Sequence, residues 1–482
     1  MTDTLTAPSP STRLPLPGAS RWLALTLAAA VSAPACANLL DDIPAGTGYA
    51  AWELCTRAIA SGDDYWRVRS QYTVPKVQPL PLIWYVDFNA GVKATVQALV
   101  PTLTNRRVGL YRPGLGCTLI TPDTSEAAVK LQPFRPASVA PAKPGMVWPD
   151  GEAPAQASGL SAAQTAALAT NSKLMFSEVT TKVDQKINTI AVLVAQDGKL
   201  VYEQYAPGYQ RDQPQLGWSM TKTLTSLTAG LMHTDSKFGL DEPVGLQRWN
   251  GTAKASITWR QLLNMAPGLA WNEDYAGASD ATQMLFSQSD QGAWAADRPL
   301  TSTPGSTFTY STGFANIAMY AMRQKLGGTH QALYDYYQTR LFAPLGIRGG
   351  VVEPDASGTP VGGARGLLRL VDWLRLGQLV ANHGVWKGQT LIDSDYMDFF
   401  GAASPASAEY GGMIWRQAAE SIPADLRSRL PADLLWFAGH MGQFIVVVPS
   451  RNLVVLRMGV AFNKDLARTQ TMALVADLLA AR

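Results

Sequence analysis

Two separated pairs of branched apolar runs constrain the fold of this chain most. Ile190-Ala191-Val192-Leu193-Val194, the turn Gln196-Asp197-Gly198 and Leu200-Val201-Tyr202 read as a β-hairpin, because short apolar runs flank a turn whose glycine tolerates positive φ. Phe444-Ile445-Val446-Val447-Val448, the turn Pro449-Ser450-Arg451-Asn452 and Leu453 to Met458 form a second pair, followed by a helix from Asp465 to Ala481. Such strands need partners on both edges, so the terminal pair is expected to join the first. The stretch between them is helical in pattern, and no internal repeat is present.

Between the hairpins, Gly217-Trp218-Ser219-Met220-Thr221-Lys222 places a hydroxyl and an amine three residues apart where a polar loop becomes an apolar-periodic segment. If Ser219 opens a helix running to about His233, Lys222 falls one turn later on the same face, within reach of the serine oxygen. A serine hydroxyl attacks only when a neighbour takes its proton. A lysine can take it only if desolvation or nearby positive charge keeps it partly neutral. The helix start adds free N–H groups and the positive dipole end. A lone Ser-x-x-Lys is common by chance, and the plain alternative is a capped surface helix with a solvated lysine. Two further segments weigh against that alternative. Phe308-Thr309-Tyr310-Ser311-Thr312-Gly313 follows the loop Pro304-Gly305-Ser306 and would present Tyr310 at the start of a helix such as Asn316 to Arg323. Gly439-His440-Met441-Gly442-Gln443 leads directly into the strand at Phe444.

Ser-x-x-Lys, then Tyr-x-Thr, then His-x-Gly before a strand resembles the serine β-lactamase and penicillin-binding-protein superfamily. The likeness runs over roughly residues 186–482. Ile257 to Leu269 is similar to the segment after the nucleophile helix in class C β-lactamases and related esterases, and Leu341 to Ile347 and Gly363 to Leu367 sit where that family has helix-turn signatures. Trp271-Asn272-Glu273-Asp274-Tyr275 most resembles the 6-aminohexanoate-dimer hydrolase branch, in which a tyrosine here touches the substrate amide. The resemblance implies an α/β (α+β) fold: an antiparallel sheet flanked by helices, with a helical subdomain. It implies Ser219 as acyl-accepting nucleophile, Lys222 as its proton partner and Tyr310 as a second proton shuttle. Backbone N–H groups of Ser219 and Gln443 would form the oxyanion hole, one from a helix start and one from an edge strand. Tyr275, Thr312, His440 and Gly442 would lie on the substrate side.

Penicillin-recognising members often carry Tyr-x-Asn and Lys-Thr-Gly where this chain has Thr312 and His440. A histidine is mostly neutral at pH 7 and is no fixed cation for a β-lactam carboxylate. The expected function is therefore an exported serine hydrolase (amidase or carboxylesterase) that cleaves linear amides or esters through an acyl-enzyme on Ser219. The alternative is a penicillin-recognising protein: a β-lactamase, a D,D-peptidase or a slowly deacylating sensor. A third reading, an envelope protein with a decayed site, conflicts with the presence of Ser219, Lys222 and Tyr310 together.

Other chemistries lack a sequence basis. The second glycine of a Gly-x-Ser-x-Gly elbow is missing after Ser219. Of the histidines besides His440, His233 ends the nucleophile helix, and His330 and His383 read as surface residues in turns. No metal or cofactor is expected, since His-Glu-x-x-His, Cys-x-x-Cys and the phosphate-loop pattern are all lacking. A net charge of +3 from 40 basic and 37 acidic residues leaves no footprint for nucleic acid. The expected partner is a small-molecule amide or ester, and the oligomeric state is open.

Arg13 and Arg21 precede the apolar run Trp22 to Val31, and Ala33-Pro34-Ala35-Cys36-Ala37 follows, the pattern of an export signal too short to span a bilayer. Cleavage after Ala35 or Ala37 fits equally, and lipidation at Cys36 is disfavoured by the lack of a leucine three residues upstream. A periplasmic or secreted location follows. With Cys36 removed, Cys55 and Cys117 remain as an even pair, expected as a disulfide, with two buried thiols as the alternative. The expected organisation is a signal over 1–37 and a small α/β or β-rich N-terminal module of unknown role over 38–140. A Pro/Ala/Gly-rich linker or strap over 141–160 and a hydrolase domain over 161–482 complete it. In the module, Ala51 to Cys55 reads as helix, and Leu82 to Val86 and Ala94 to Val100 as strands; Ser161 caps a helix reaching about Val183.

Overall fold

The computed structural model describes residues 33–482 apart from 101, 102, 158 and 179, so the charged and apolar parts of the expected export signal lie outside the described residues. The first described element is helix α1 (Ala33–Glu53), which widens into a π-helical turn over Leu54–Ala60. An antiparallel meander lies beside it: β1 (Trp84–Asn89), β2 (Lys93–Val100), β3 (Leu103–Arg112) and β4 (Gly116–Ile120). Gly109 lets β3 approach the helix, since a Cβ there would stand 2.3 Å from the Ala51 carbonyl oxygen. Cys55 and Cys117 are joined as a disulfide, Cα atoms 6.0 Å apart, which ties the end of the helix to β4.

Apart from small clusters such as that of Ile43, Leu80 and Ala98, this N-terminal layer packs into the main core of the molecule. Tyr49, Trp52 and Leu54 belong to the same apolar cluster as Trp218, Leu224 and Met284. Glu353 pins the contact from within: its carboxylate accepts Trp52 Nε1 at 2.8 Å, Thr56 Oγ1 at 2.9 Å and the Cys117 backbone N–H at 2.6 Å.

The proline-rich stretch after it has no regular secondary structure and runs as a strap. Trp148 is buried and donates to the Val371 carbonyl at 3.2 Å, and Arg348 Nε holds the Ala140 carbonyl at 2.7 Å. Phe134 of the strap stacks on His330 at 5.3 Å, so His330 is not the surface residue expected from its turn-like surroundings. Helix α2 (Ala162–Met175) starts in a capping box of Ser161 and Gln164. It stops well before Val183, because Thr189 Oγ1 donates to the Met175 carbonyl at 2.5 Å and Glu178 turns to accept the Ile187 N–H at 3.2 Å.

The two hairpins pair as expected. The strands β5 (Thr189–Gln196), β6 (Lys199–Tyr205), β7 (Trp415–Arg416), β8 (Leu435–Gly439), β9 (Gln443–Val448) and β10 (Leu453–Gly459) form one antiparallel sheet in the spatial order β7-β8-β9-β10-β5-β6. Leu456 on β10 lies opposite Leu193 on one side and Ile445 on the other. Strands β5, β9 and β10 are buried along their whole length, which is why they read as unbroken apolar runs. Alternate residues serve two different cores. Leu193, Ile445 and Leu456 face a cluster that includes α3 (Met220–Thr234), α4 (Asp280–Ser287), α5 (Thr312–Lys325) and α6 (Leu370–Ala381). Val194, Val446 and Val455 face α2 and α7 (Lys464–Ala480). The observed architecture is thus the mixed α and β, helix-flanked antiparallel sheet that the sequence resemblance implies. Strands β7 and β8 are the sheet members that the sequence reading does not anticipate. Among the described residues no helix is long and apolar enough to cross a membrane.

Candidate active site

Ser219 caps the N-terminus of α3, half-buried, with helical backbone angles of φ −64° and ψ −9°. The residue before it is unusual: Trp218 has φ +47°, a left-handed conformation that a bulky side chain rarely adopts. Packing holds it there. Its indole is 3% exposed, stacked on Tyr49 at 6.0 Å and edge-on to Trp52 at 5.1 Å and His440 at 5.2 Å. Gly217 permits the approach, since a Cβ there would stand 2.2 Å from the Trp373 ring.

Lys222, one turn into α3, is 1% exposed. Its Nζ reaches Ser219 Oγ at 2.9 Å, Thr312 Oγ1 at 2.8 Å and the Gly363 carbonyl at 2.9 Å. Asn316 of α5 fixes that carbonyl by accepting the Gly363 N–H at 2.9 Å. Desolvation draws the Lys222 pKa down from 10.5 to about 8, against the raising influence of Glu273, whose Oε1 lies 3.9 Å away. The amine is therefore near the protonation balance that a general base needs at mildly alkaline pH.

Tyr310 sits just before α5, its ring centroid 4.7 Å from Lys222 Nζ. Burial and then Glu273 push its phenol pKa up, while hydrogen bonding to Ser219 works in the opposite direction. Tyr410 and Trp415 wall it in, with ring centroids 5.8 and 5.4 Å away. Ser219, Lys222 and Tyr310 thus converge, as their sequence pattern implies.

Glu273 carries no role in the sequence reading, yet it organises this side of the site. It accepts the Thr312 backbone N–H at 2.8 Å, Tyr275 OH at 2.9 Å and Trp271 Nε1 at 2.5 Å. Its signal was its place within Trp271-Asn272-Glu273-Asp274-Tyr275, where the tyrosine drew attention instead.

Several residues expected on the substrate side are placed otherwise. Thr312 is fully buried, and its hydroxyl is engaged by Lys222 and Glu273, so it supports the lysine and does not face a ligand. Gly442 is buried in the β8–β9 turn at φ +74°; its carbonyl accepts from the Arg457 guanidinium, and a Cβ would press on Ala467 at 3.0 Å. Gln443 opens β9, which lies between β8 and β10 and is not an edge strand. The exposed edge nearest Ser219 belongs to the end of β8, because β7 pairs only with Leu435 and Trp436 and a Cβ on Gly439 would stand 2.5 Å from the Gly217 carbonyl. The backbone N–H groups of Ser219 and His440 both lack an acceptor among the described residues.

Tyr275 and His440 do line open space. With Trp218 they form one wall of a cavity of about 140 Å³ whose other walls include Ile43, Tyr49, Lys76, Leu80 and Phe286. The His440 pKa is driven well below 6.5, first by desolvation and then by Lys76, Lys464, Arg57 and Lys222, so the ring is neutral. Among the described residues no His, Cys, Asp and Glu cluster could hold a metal ion.

A family model described as Beta-lactamase matches residues 173–478. Among solved structures, a penicillin-binding protein homologue from Caulobacter crescentus is similar with a TM-score of 0.53 and 16% identity, over 67% of this chain and 99% of that one. A protein assigned as a 6-aminohexanoate-dimer hydrolase from Bacillus anthracis gives a TM-score of 0.52 and 19% identity, over 61% of this chain and 80% of that one. EstCE1, described as a hydrolase with promiscuous acyltransferase activity, gives 0.50 and 17%, over 66% and 98%. No curated protein matches by sequence.

Proposed function

This chain belongs to the β-lactamase family within the serine β-lactamase and penicillin-binding-protein superfamily, and from that premise we propose an exported serine hydrolase that cleaves linear amides or carboxylic esters through an acyl-enzyme on Ser219. The observation that carries the reading is the 2.9 Å contact between Lys222 Nζ and Ser219 Oγ, with the lysine pKa lowered to about 8. Neutral Lys222 takes the hydroxyl proton as Ser219 Oγ bonds to the carbonyl carbon. The developing oxyanion is met by the free N–H of Ser219 and, at the end of β8, by that of His440. Gln443, three residues on, is the sequence-based candidate for the same role. Tyr310, with its raised pKa, keeps its proton until the leaving nitrogen or oxygen accepts one, and the C–N or C–O bond breaks. Water then repeats the addition, and the carboxylic acid leaves Ser219.

The Cys55–Cys117 disulfide supports the export part, since such bonds persist in oxidising compartments. Likeness to a hydrolase with promiscuous acyltransferase activity and to a protein assigned as a 6-aminohexanoate-dimer hydrolase agrees with acyl transfer to Ser219. Intact mass after treatment with a fluorophosphonate tests the proposal. One adduct is expected, mapping to Ser219 and lost in Ser219→Ala, with multiple turnover of p-nitrophenyl esters. A single stoichiometric burst without turnover would point instead to a slowly deacylating binding protein.

A further inference from the structure

The cavity beside Trp218, Tyr275 and His440 is closed on its far side by the N-terminal layer, a part of the chain that the family model does not reach. Ile43 and Tyr49 come from α1, and Lys76, Pro79 and Leu80 from the turns after it. Ser219 is not in the lining, so the space lies next to the nucleophile, past Tyr275 and His440. Its walls are largely apolar, with Ile43, Tyr49, Leu80 and Phe286 all buried.

The lining carries one acid and one base, and they differ in how they are engaged. Asp42, its acid, has Oδ1 engaged by the Ala278 backbone N–H at 2.7 Å. Lys76 ends the short turn Val74–Lys76, exposed at the rim, and among the described residues its ammonium has no ion pair. Lys464, at the start of α7, adds positive charge near His440, whereas Arg57 is paired with Glu53 at 3.2 Å and Lys222 has Glu273 at 3.9 Å. Desolvation lowers the Lys76 pKa, Glu53 pulls it up, and Lys464 lowers it further, so among the described residues Lys76 is left without a counter-charge of its own in the cavity wall beside it.

We propose that this cavity is a substrate subsite completed by the N-terminal layer, which takes an apolar chain ending in a carboxylate and holds that carboxylate on Lys76. The inference rests on the acyl-enzyme reading for the reaction but not for the binding. A substrate carbonyl at Ser219 then has its distal chain running past Tyr275 and His440 between Tyr49 and Phe286, with the anionic end at the rim.

Two measurements on the full chain separate the subsite from the chemistry. In the Ser219→Ala protein, tryptophan fluorescence and calorimetry compare hexanoate with hexanamide. Hexanoate should bind at least ~10-fold more tightly at low salt, as expected for a charge-assisted contact. Lys76→Gln should abolish the preference and Lys76→Arg should keep it. Equal binding of the two probes, or a preference that survives Lys76→Gln, overturns the proposal. In the active protein, Lys76→Gln should lower kcat/KM for mono-p-nitrophenyl adipate by ~10-fold or more while leaving p-nitrophenyl butyrate unchanged. An equal loss on both esters also overturns it. If the wild type hydrolyses neither ester, the reaction assignment fails and the binding comparison still decides the subsite.

Discussion

The indole of Trp52 stands edge-on to that of Trp218, ring centroids 5.1 Å apart and planes at 78°, so the N-terminal layer bears directly on the residue before Ser219. Trp218 carries the left-handed φ that turns the chain into α3 and aims Ser219. Relaxation of that residue would move the hydroxyl relative to Lys222.

Trp52→Ala should therefore lower kcat by ~10-fold or more beyond any loss of folded protein, since small misplacements of a reacting atom are costly. The missing ring should also cost about 3–5 kcal/mol of stability. Trp52→Phe keeps the edge contact and should retain most of kcat. Single-turnover acylation rates on folded protein check this, and equal kcat in Trp52→Ala and wild type would show that the contact is only structural.

The pH profile follows from Lys222. In the proposed reaction its neutral form is the working base, and that form accumulates as pH rises through about 8, so kcat/KM should climb with pH and level off above that point. Glu273 raises the lysine pKa, so Glu273→Gln should shift the rising limb to lower pH. The same change should lower the plateau, because the carboxylate also orders Thr312 and Tyr275. A limb that stays in place would mean that another group controls it.

Glu353 predicts a pH-dependent docking of the N-terminal layer. Burial raises its pKa from 4.5 to about 7, against the lowering effects of the Cys117 N–H, Arg365, Thr56 and Trp52. The folded state holds the proton more tightly than the unfolded state. Its contribution is then full below about pH 4.5 and is lost as pH rises through about 7. Thermal melts from pH 5 to 8 should show a steeper decline for wild type than for Glu353→Gln. Parallel curves would remove Glu353 from the account.

Reduction of the Cys55–Cys117 bond, or Cys55→Ser with Cys117→Ser, should cost about 4 kcal/mol in the loop-closure picture for a separation of 62 residues. Activity should fall with it, because the bridge holds the helix that carries Trp52. Denaturation curves of both forms measure the first effect, and residual turnover the second.

Nitrocefin should be a poorer substrate than p-nitrophenyl esters or short linear amides by one to three orders of magnitude, the scale of two lost polar contacts at roughly 1–2 kcal/mol each. Thr312 is committed to Lys222 and Glu273, and His440 is neutral, so neither offers a β-lactam the contact its sequence position suggests. Matched kcat/KM values decide the matter.

The amino-acid sequence by itself determined the two hairpins of the central sheet and the grouping of Ser219, Lys222 and Tyr310. A strand such as β9, with its run from Phe444 to Val448, needs only local apolar composition to be recognised. A Ser-x-x-Lys spacing on a helix dictates that hydroxyl and amine meet, because 3.6 residues complete a turn. Tyr310 was legible from the loop that presents it. Glu273, the β8 edge and the coverage of the site by α1 were not. Each depends on contacts between residues far apart in the chain: Glu273 with Thr312, Gly439 with Gly217, and Trp52 with Trp218 and Glu353. Thr312 and Gly442 show the same limit from the other side, since their types fit a binding role and only burial by neighbouring elements assigned them to support. Local periodicity reports which face of an element is apolar; which element covers that face, and which polar groups are left free, is settled only when the whole core closes.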